Sequence, residues 1–121
     1  MQYKLYNDDF DVIIDSKGCE IISVVRKQDS KQYIWNGNPD AWKRHTPVLF
    51  PLVGRYKNDT SVYKGKEYHM TQHGFARDSE FTLVHKEDNV IIMSLTSSEA
   101  TKQKYPFDFE LMITHLSLIH I

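Results

Sequence analysis

Apolar and polar residues alternate in short runs along most of this chain, and turn-forming residues separate the runs. Phe10 to Asp15 (FDVIID) and Glu20 to Arg26 (EIISVVR) are rich in Val and Ile, whose branched side chains suit a pleated surface. They flank Asp15-Ser16-Lys17-Gly18, a predicted hairpin turn. Gln32 to Trp35 predicts a third short strand. Asn36-Gly37-Asn38-Pro39 ends it, because Asn-Gly and Asn-Pro favour turns and proline has no N–H to donate to a ladder. Phe81 to His85 and Asn89 to Thr96 flank Lys86-Glu87-Asp88 and predict a second hairpin. Further on, Phe107, Phe109, Leu111 and Ile113 alternate with Asp108, Glu110 and Met112, which turns one strand face toward a core. Only Ser97 to Lys104 has polar, weakly helical character, and it is expected to connect strands rather than fill the core. The predicted class is all-β, within a large antiparallel β-sandwich, since half-apolar strands need a facing apolar layer.

Composition narrows the setting. The chain has 121 residues, 40% hydrophobic and 26% charged, which suits one globular domain. Fifteen Lys and Arg stand against sixteen Asp and Glu, a formal charge of −1, so there is no basic footprint for nucleic acid or an anionic membrane. Cys19 has no second cysteine to pair with, which fits a reducing, cytoplasmic compartment; it is expected as a small buried strand residue rather than a nucleophile. The N-terminus, MQYKLYNDDFDV, lacks an apolar targeting region, and no apolar run reaches the length of a membrane span.

The candidate chemistry lies between Phe50 and Arg77, FPLVGRYKNDTSVYKGKEYHMTQHGFAR. Arg55 emerges at the end of an apolar run, and His73 and Arg77 bracket Gly74-Phe75-Ala76. A guanidinium offers five donors in a rigid fork, and an imidazole donates from one nitrogen while accepting at the other; together they suit hydroxyl, ring-oxygen or phosphate groups. Each residue also has a plain structural reading: Arg55 bonding loop carbonyls, His73 satisfied within a turn, Arg77 paired with Asp78 or Glu80. Asp78 and Glu80 read as a polar strand entrance, not a catalytic carboxylate pair. His69 and His73 share the spacing of helical zinc ligands, but on extended backbone four residues span about 13 Å, too far for two imidazoles each about 2 Å from one zinc. No metal site is expected. Trp35 is expected in the core, Trp42 in a loop that borders a cleft or caps the sandwich, and Lys43, Arg44 and His45 as solvated loop charges.

Four segments occur in a telling order: Leu49 to Arg55 (LFPLVGR), Lys64 to Met70 (KGKEYHM), Gln72 to Asp78 (QHGFARD) and Tyr105-Pro106-Phe107. Together they resemble the N-terminal part of aldose 1-epimerases, also called galactose mutarotases, and within that family the LacX-like branch. The resemblance runs to about Thr114. It implies that residues 1–114 are the N-terminal part of a galactose mutarotase-like supersandwich and that residues 115–121 (HLSLIHI) form an atypical tail. A truncated or interrupted reading frame is the expected origin of that tail, and a terminal strand pairing within a dimer is the alternative.

The resemblance implies an isomerase that interconverts the α and β anomers of a hexose through the open-chain aldehyde, with no cofactor. A carboxylate base takes the anomeric hydroxyl proton while a histidine acid protonates the ring oxygen; the ring opens, the C1–C2 bond rotates, and closure from the other face completes the exchange. In the family, the acid histidine and base glutamate lie beyond the point where this chain ends, so no catalytic residue is expected here and the chain alone should be inactive. Arg55 and His73 match the family's substrate-contacting arginine and histidine, and are expected to converge on one concave surface. Arg77 matches the motif arginine that would contact phosphate in relatives acting on hexose 6-phosphates. The expected partner is a small sugar or sugar phosphate. A hexose-6-phosphate 1-epimerase, or a noncatalytic carbohydrate-binding or regulatory module, would use the same residues; neither the sugar nor the oligomeric state follows from these motifs.

Overall fold

The computed structural model describes residues 1–117. Its first three strands, β1 (Gln2–Tyr6), β2 (Phe10–Asp15) and β3 (Glu20–Arg26), form an antiparallel sheet in that order. A hairpin of β4 (Thr60–Tyr63) and β5 (Lys66–His69) follows a long irregular segment. A second three-stranded antiparallel sheet is built from β6 (Thr82–Lys86), β7 (Val90–Thr96) and β8 (Glu110–Leu116), with the one-turn helix α1 (Glu99–Lys102) between β7 and β8. Ser98 caps α1 through a reciprocal box with Thr101, which is why this polar stretch forms a helical turn at all.

The two three-stranded sheets share one core. Leu5 of β1, Ile14 of β2 and Ile91 and Met93 of β7 are at most 1% exposed, and Cys19, Ala76 and Phe81 complete the cluster. Burying each large apolar side chain contributes about 1.5–3 kcal/mol relative to leaving it in water, so this shared layer is what holds the sheets face to face. The Tyr6 N–H also donates to the Asp88 carbonyl (2.9 Å), and Asn7 Nδ2 to Ser117 Oγ (2.9 Å), tying the end of β1 to the second sheet.

The all-β expectation holds, and most predicted strands stand within a residue or two of their places. β1 is an addition. Its Tyr3 and Leu5 alternate inward against polar neighbours, over a run too short to stand out. The segment from Gln32 to Trp35, by contrast, does not form a strand. Gln32 makes only an isolated bridge to Val25, and its side-chain carbonyl accepts the Val24 and Ile34 N–H groups (2.8 and 3.1 Å), displacing the backbone from a regular ladder. Trp35 is not a core residue either. It is 44% exposed, and its indole N–H donates to the Trp42 carbonyl (2.7 Å) across a loop of consecutive Asx turns at Asn36 and Asn38.

The β2–β3 turn is drawn into the core by the segment that follows the QHGFAR motif. Gly18 N–H donates to the Ser79 carbonyl (2.7 Å) and Phe81 N–H to the Ser16 carbonyl (2.9 Å), which buries Ser16 and Gly18 in a connection predicted to be a surface turn. Cys19 is buried as expected, but in this turn rather than in a strand, with a left-handed φ of 49°. Burial pushes its thiol up to about 11, so it is held as the neutral, unreactive form near neutral pH.

β8 continues through Leu116, with His115 opposite Ile91 and Leu116 opposite Val90. His115 Nε2 lies 3.1 Å from the Cys19 carbonyl and 3.6 Å from Cys19 Sγ. It is therefore a cross-sheet contact, not an incidental tail residue. His120, within the same expected tail of residues 115–121, lies outside the described residues.

Candidate substrate-orienting site

The separate sequence motifs meet over one aromatic cluster. Phe50 lies edge-on to Phe75 and Tyr105 (6.2 and 6.1 Å between centroids) and tilted on Phe109 (5.1 Å). Phe107 joins Tyr105 (5.0 Å) to Tyr63 of β4 (4.8 Å). Edge and tilted arrangements of this kind align positive ring edges with negative faces, so LFPLVGR, QHGFAR, YPF and the β4–β5 hairpin are packed into a single base. This role keeps Phe107 at the rim, 39% exposed, instead of on the inward face that its alternation predicted.

Backbone pairing then sets the register between the two loops. Phe50 bridges Gly74 in parallel, and the Phe50 carbonyl accepts both the Phe75 and Ala76 N–H groups (3.1 Å each). Gly74 has φ 74°, and a Cβ there would sit 2.4 Å from the Phe50 carbonyl oxygen. Only glycine fits both the conformation and the approach.

Four residues after Phe50 and one before Gly74 comes the contact that matters most for chemistry. His73 N–H donates to the Gly54 carbonyl (2.8 Å), and Gly54 N–H donates to His73 Nδ1 (2.9 Å). Because a backbone N–H can only donate, Nδ1 must accept. The neutral ring then carries its proton on Nε2, as a donor left free of this pairing. His73 holds a left-handed φ of 64°, which an imidazole tolerates when its side chain is tied down locally.

Arg55 follows Gly54 directly. Its Nε and Nη2 donate to the two carboxylate oxygens of Asp59 (2.6 and 2.9 Å), and its side chain is 62% exposed. The guanidinium hydrogen bonds hold the Asp59 carboxyl below its ordinary range and raise Arg55 in return. Asp59 and Asn58 both have left-handed φ angles, 53° and 55°, and the Asp59 carbonyl accepts Met70 N–H (3.0 Å) at the foot of β5. Arg55 thus has an anionic partner rather than loop carbonyls. The i,i+4 spacing of Arg55 and Asp59 was visible in the sequence, but only a helix would have made it a contact by rule, and here a turn at Lys57–Asp59 does so.

Arg77 points elsewhere. Its Nη2 donates to the Gln72 carbonyl (2.7 Å), not to Asp78 or Glu80, and its Nε is buried with no hydrogen-bond partner among the described residues. It borders a hollow of about 460 Å³ together with Lys17, Lys43, Arg44, His45 and Asp78; Arg55 and His73 do not line it. Arg44 and His45 are not free loop charges. Arg44 pairs with Asp78 (2.9 Å) at 16% side-chain exposure and holds that carboxyl below its usual range, aided by Arg77 and Lys43. His45 Nδ1 lies 3.5 Å from Glu20 Oε1, which also accepts the Thr46 N–H (2.9 Å). His69, on β5, places its Nδ1 3.1 Å from Thr60 Oγ1, so His69 and His73 engage different groups.

The family model for aldose 1-epimerase matches residues 1–116. The chain belongs to the aldose 1-epimerase family. It is 28% identical over 120 residues to the plasmid-encoded protein LacX of Lactococcus lactis, covering 95% of this chain and 40% of LacX. Its fold is similar to that of a galactose mutarotase related enzyme from Lactobacillus acidophilus, with a TM-score of 0.96 and 42% identity over 98% of this chain and 39% of that one. A galactose mutarotase-like protein from Lactobacillus casei gives a TM-score of 0.91 at 34% identity, over 96% of this chain and 40% of its own. The chain therefore spans about 40% of the length of the curated relatives it matches. Within the family framework, the paired LFPLVGR and QHGFAR loops carry the candidate polar groups, and Asp59 is the member of the site that the motifs alone did not single out.

Proposed function

We propose that this chain is the substrate-orienting N-terminal part of an aldose 1-epimerase acting on a hexose. In the complete domain, meaning the chain continued to the length of its relatives, the acid histidine and base glutamate come from residues outside these 121. The observation that carries this reading is the reciprocal Gly54–His73 pairing, which leaves an Nε2–H donor on a residue held to the immediate chain neighbour of Arg55. Both groups suit neutral sugar oxygens, and the Nε2–H donor suits oxygen on which negative charge grows as the ring opens and closes. They orient and polarise; they do not supply the matched proton donor and acceptor.

Polarimetry of freshly dissolved α-anomers tests the proposal. The complete domain should accelerate mutarotation well above buffer, and Arg55→Ala should lower kcat/KM about tenfold or more, the scale of losing hydrogen bonds to a charged donor. A complete domain no faster than buffer on any common hexose would refute the assignment.

A further inference from the structure

We propose that Asp59 sets the charge class of the substrate, restricting the site to uncharged sugars in preference to sugar phosphates. This rests on the functional reading above, in which Arg55 meets the sugar. An unpaired arginine at the mouth of a sugar site would attract a phosphorylated sugar at least as well as a neutral one. Arg55 is not unpaired. Asp59 accepts from both Nε and Nη2, so one edge of the fork is filled and its charge is offset at contact distance. What remains is Nη1 and the second Nη2 proton. These are donors with fixed direction and little net charge behind them, suited to hydroxyls rather than to a dianion.

Three features show that the pair is built rather than incidental. Asp59 sits in left-handed backbone directly after Asn58 in the same conformation, an arrangement that costs free energy and persists only where surrounding contacts hold it. Its backbone N–H donates to the Tyr56 carbonyl (3.0 Å) and its backbone carbonyl accepts from the Met70 N–H (3.0 Å), which fixes the Asp59 backbone on both sides. The carboxylate is also the less exposed partner, 30% against 62% for Arg55, so the anion on the held backbone positions the more exposed cation. Asp59 touches no reacting atom in this account; it is a positioning residue that also carries the selecting charge.

The test compares kcat/KM for glucose and for glucose 6-phosphate in the complete domain, before and after Asp59→Asn. Asparagine keeps the shape and one acceptor but removes the charge. The ratio of phosphate to neutral turnover should rise at least about fivefold, the scale of one charge interaction near a protein surface. The gain should shrink as salt is added, because exposed charges are screened. Asp59→Ala should move the ratio the same way, with a larger rise in KM for glucose as Arg55 loses its orientation. A merely structural role would lower both substrates in proportion and leave the ratio fixed. Turnover with a ratio unchanged in both variants overturns this inference alone, whereas no turnover by the unaltered complete domain overturns it together with the functional reading.

Discussion

Replacing His73 by asparagine should lower kcat/KM for mutarotation by the complete domain about tenfold or more while leaving its thermal stability nearly unchanged. The side-chain oxygen of asparagine can occupy the place of Nδ1 and accept the Gly54 N–H that now lies 2.9 Å from it. Asparagine also tolerates the left-handed backbone at this position better than most residues. What it cannot supply is the Nε2–H donor at imidazole reach. A hydrogen bond to an oxygen that gains charge in the transition state contributes about 1.5–3 kcal/mol, or roughly 10- to 150-fold in rate. His73→Ala should lose that and stability as well, since the Gly54 N–H then has no side-chain acceptor. Steady-state polarimetry beside a thermal melt separates the two. If asparagine retained full activity, His73 would be a turn residue and nothing more.

A second large effect is expected at Gly74. Alanine there must adopt φ 74° and bring its Cβ within 2.4 Å of the Phe50 carbonyl oxygen, a backbone atom that cannot swing aside. The left-handed strain alone costs about 1–3 kcal/mol. Relieving the clash separates the two loops and weakens the Phe75 and Ala76 bonds to Phe50, each about 1 kcal/mol. A total of about 3 kcal/mol or more follows, with activity lost because Gly54 and His73 are pulled out of register. Gly65→Ala is the control. Its φ is 76°, but nothing lies within 4 Å of the added Cβ, so only about 1–2 kcal/mol of conformational cost is expected. Urea unfolding of both variants reads the difference, and equal losses would mean that the close approach at Gly74 is unimportant.

The fold was legible where alternation was strong. Val12 and Ile14 in β2, Ile91, Met93 and Leu95 in β7, and Leu111 and Ile113 in β8 recur at every second position, as a half-buried sheet dictates, and β3 is dense in Ile and Val. Gln32 to Trp35 misled because Gln32 uses its amide to do what a backbone N–H and carbonyl would have done, a substitution that no periodicity reveals. Trp35 misled for a related reason. Its indole found a carbonyl partner at the surface, so its apolar bulk did not decide its place. At the site, the motifs named Arg55 and His73, but nothing in their spacing foretold that Gly54 would fix the tautomer or that Asp59 would fill one edge of the guanidinium. Both depend on left-handed turns, whose geometry is set by contacts with β5 and with Phe50 rather than by local residue preference. Arg77 matched the same motif yet faces the hollow shared with Arg44 and Asp78, because its Nη2 is taken by Gln72.

The most direct test of the account is polarimetry of this 121-residue chain beside the complete domain, on the same fresh α-glucose and α-galactose solutions. The account predicts that the complete domain speeds the approach to anomeric equilibrium and that the chain alone matches the buffer control, because it orients a sugar without moving its protons. Robust turnover by the chain alone would contradict it, and would make His73 the first candidate for the acid.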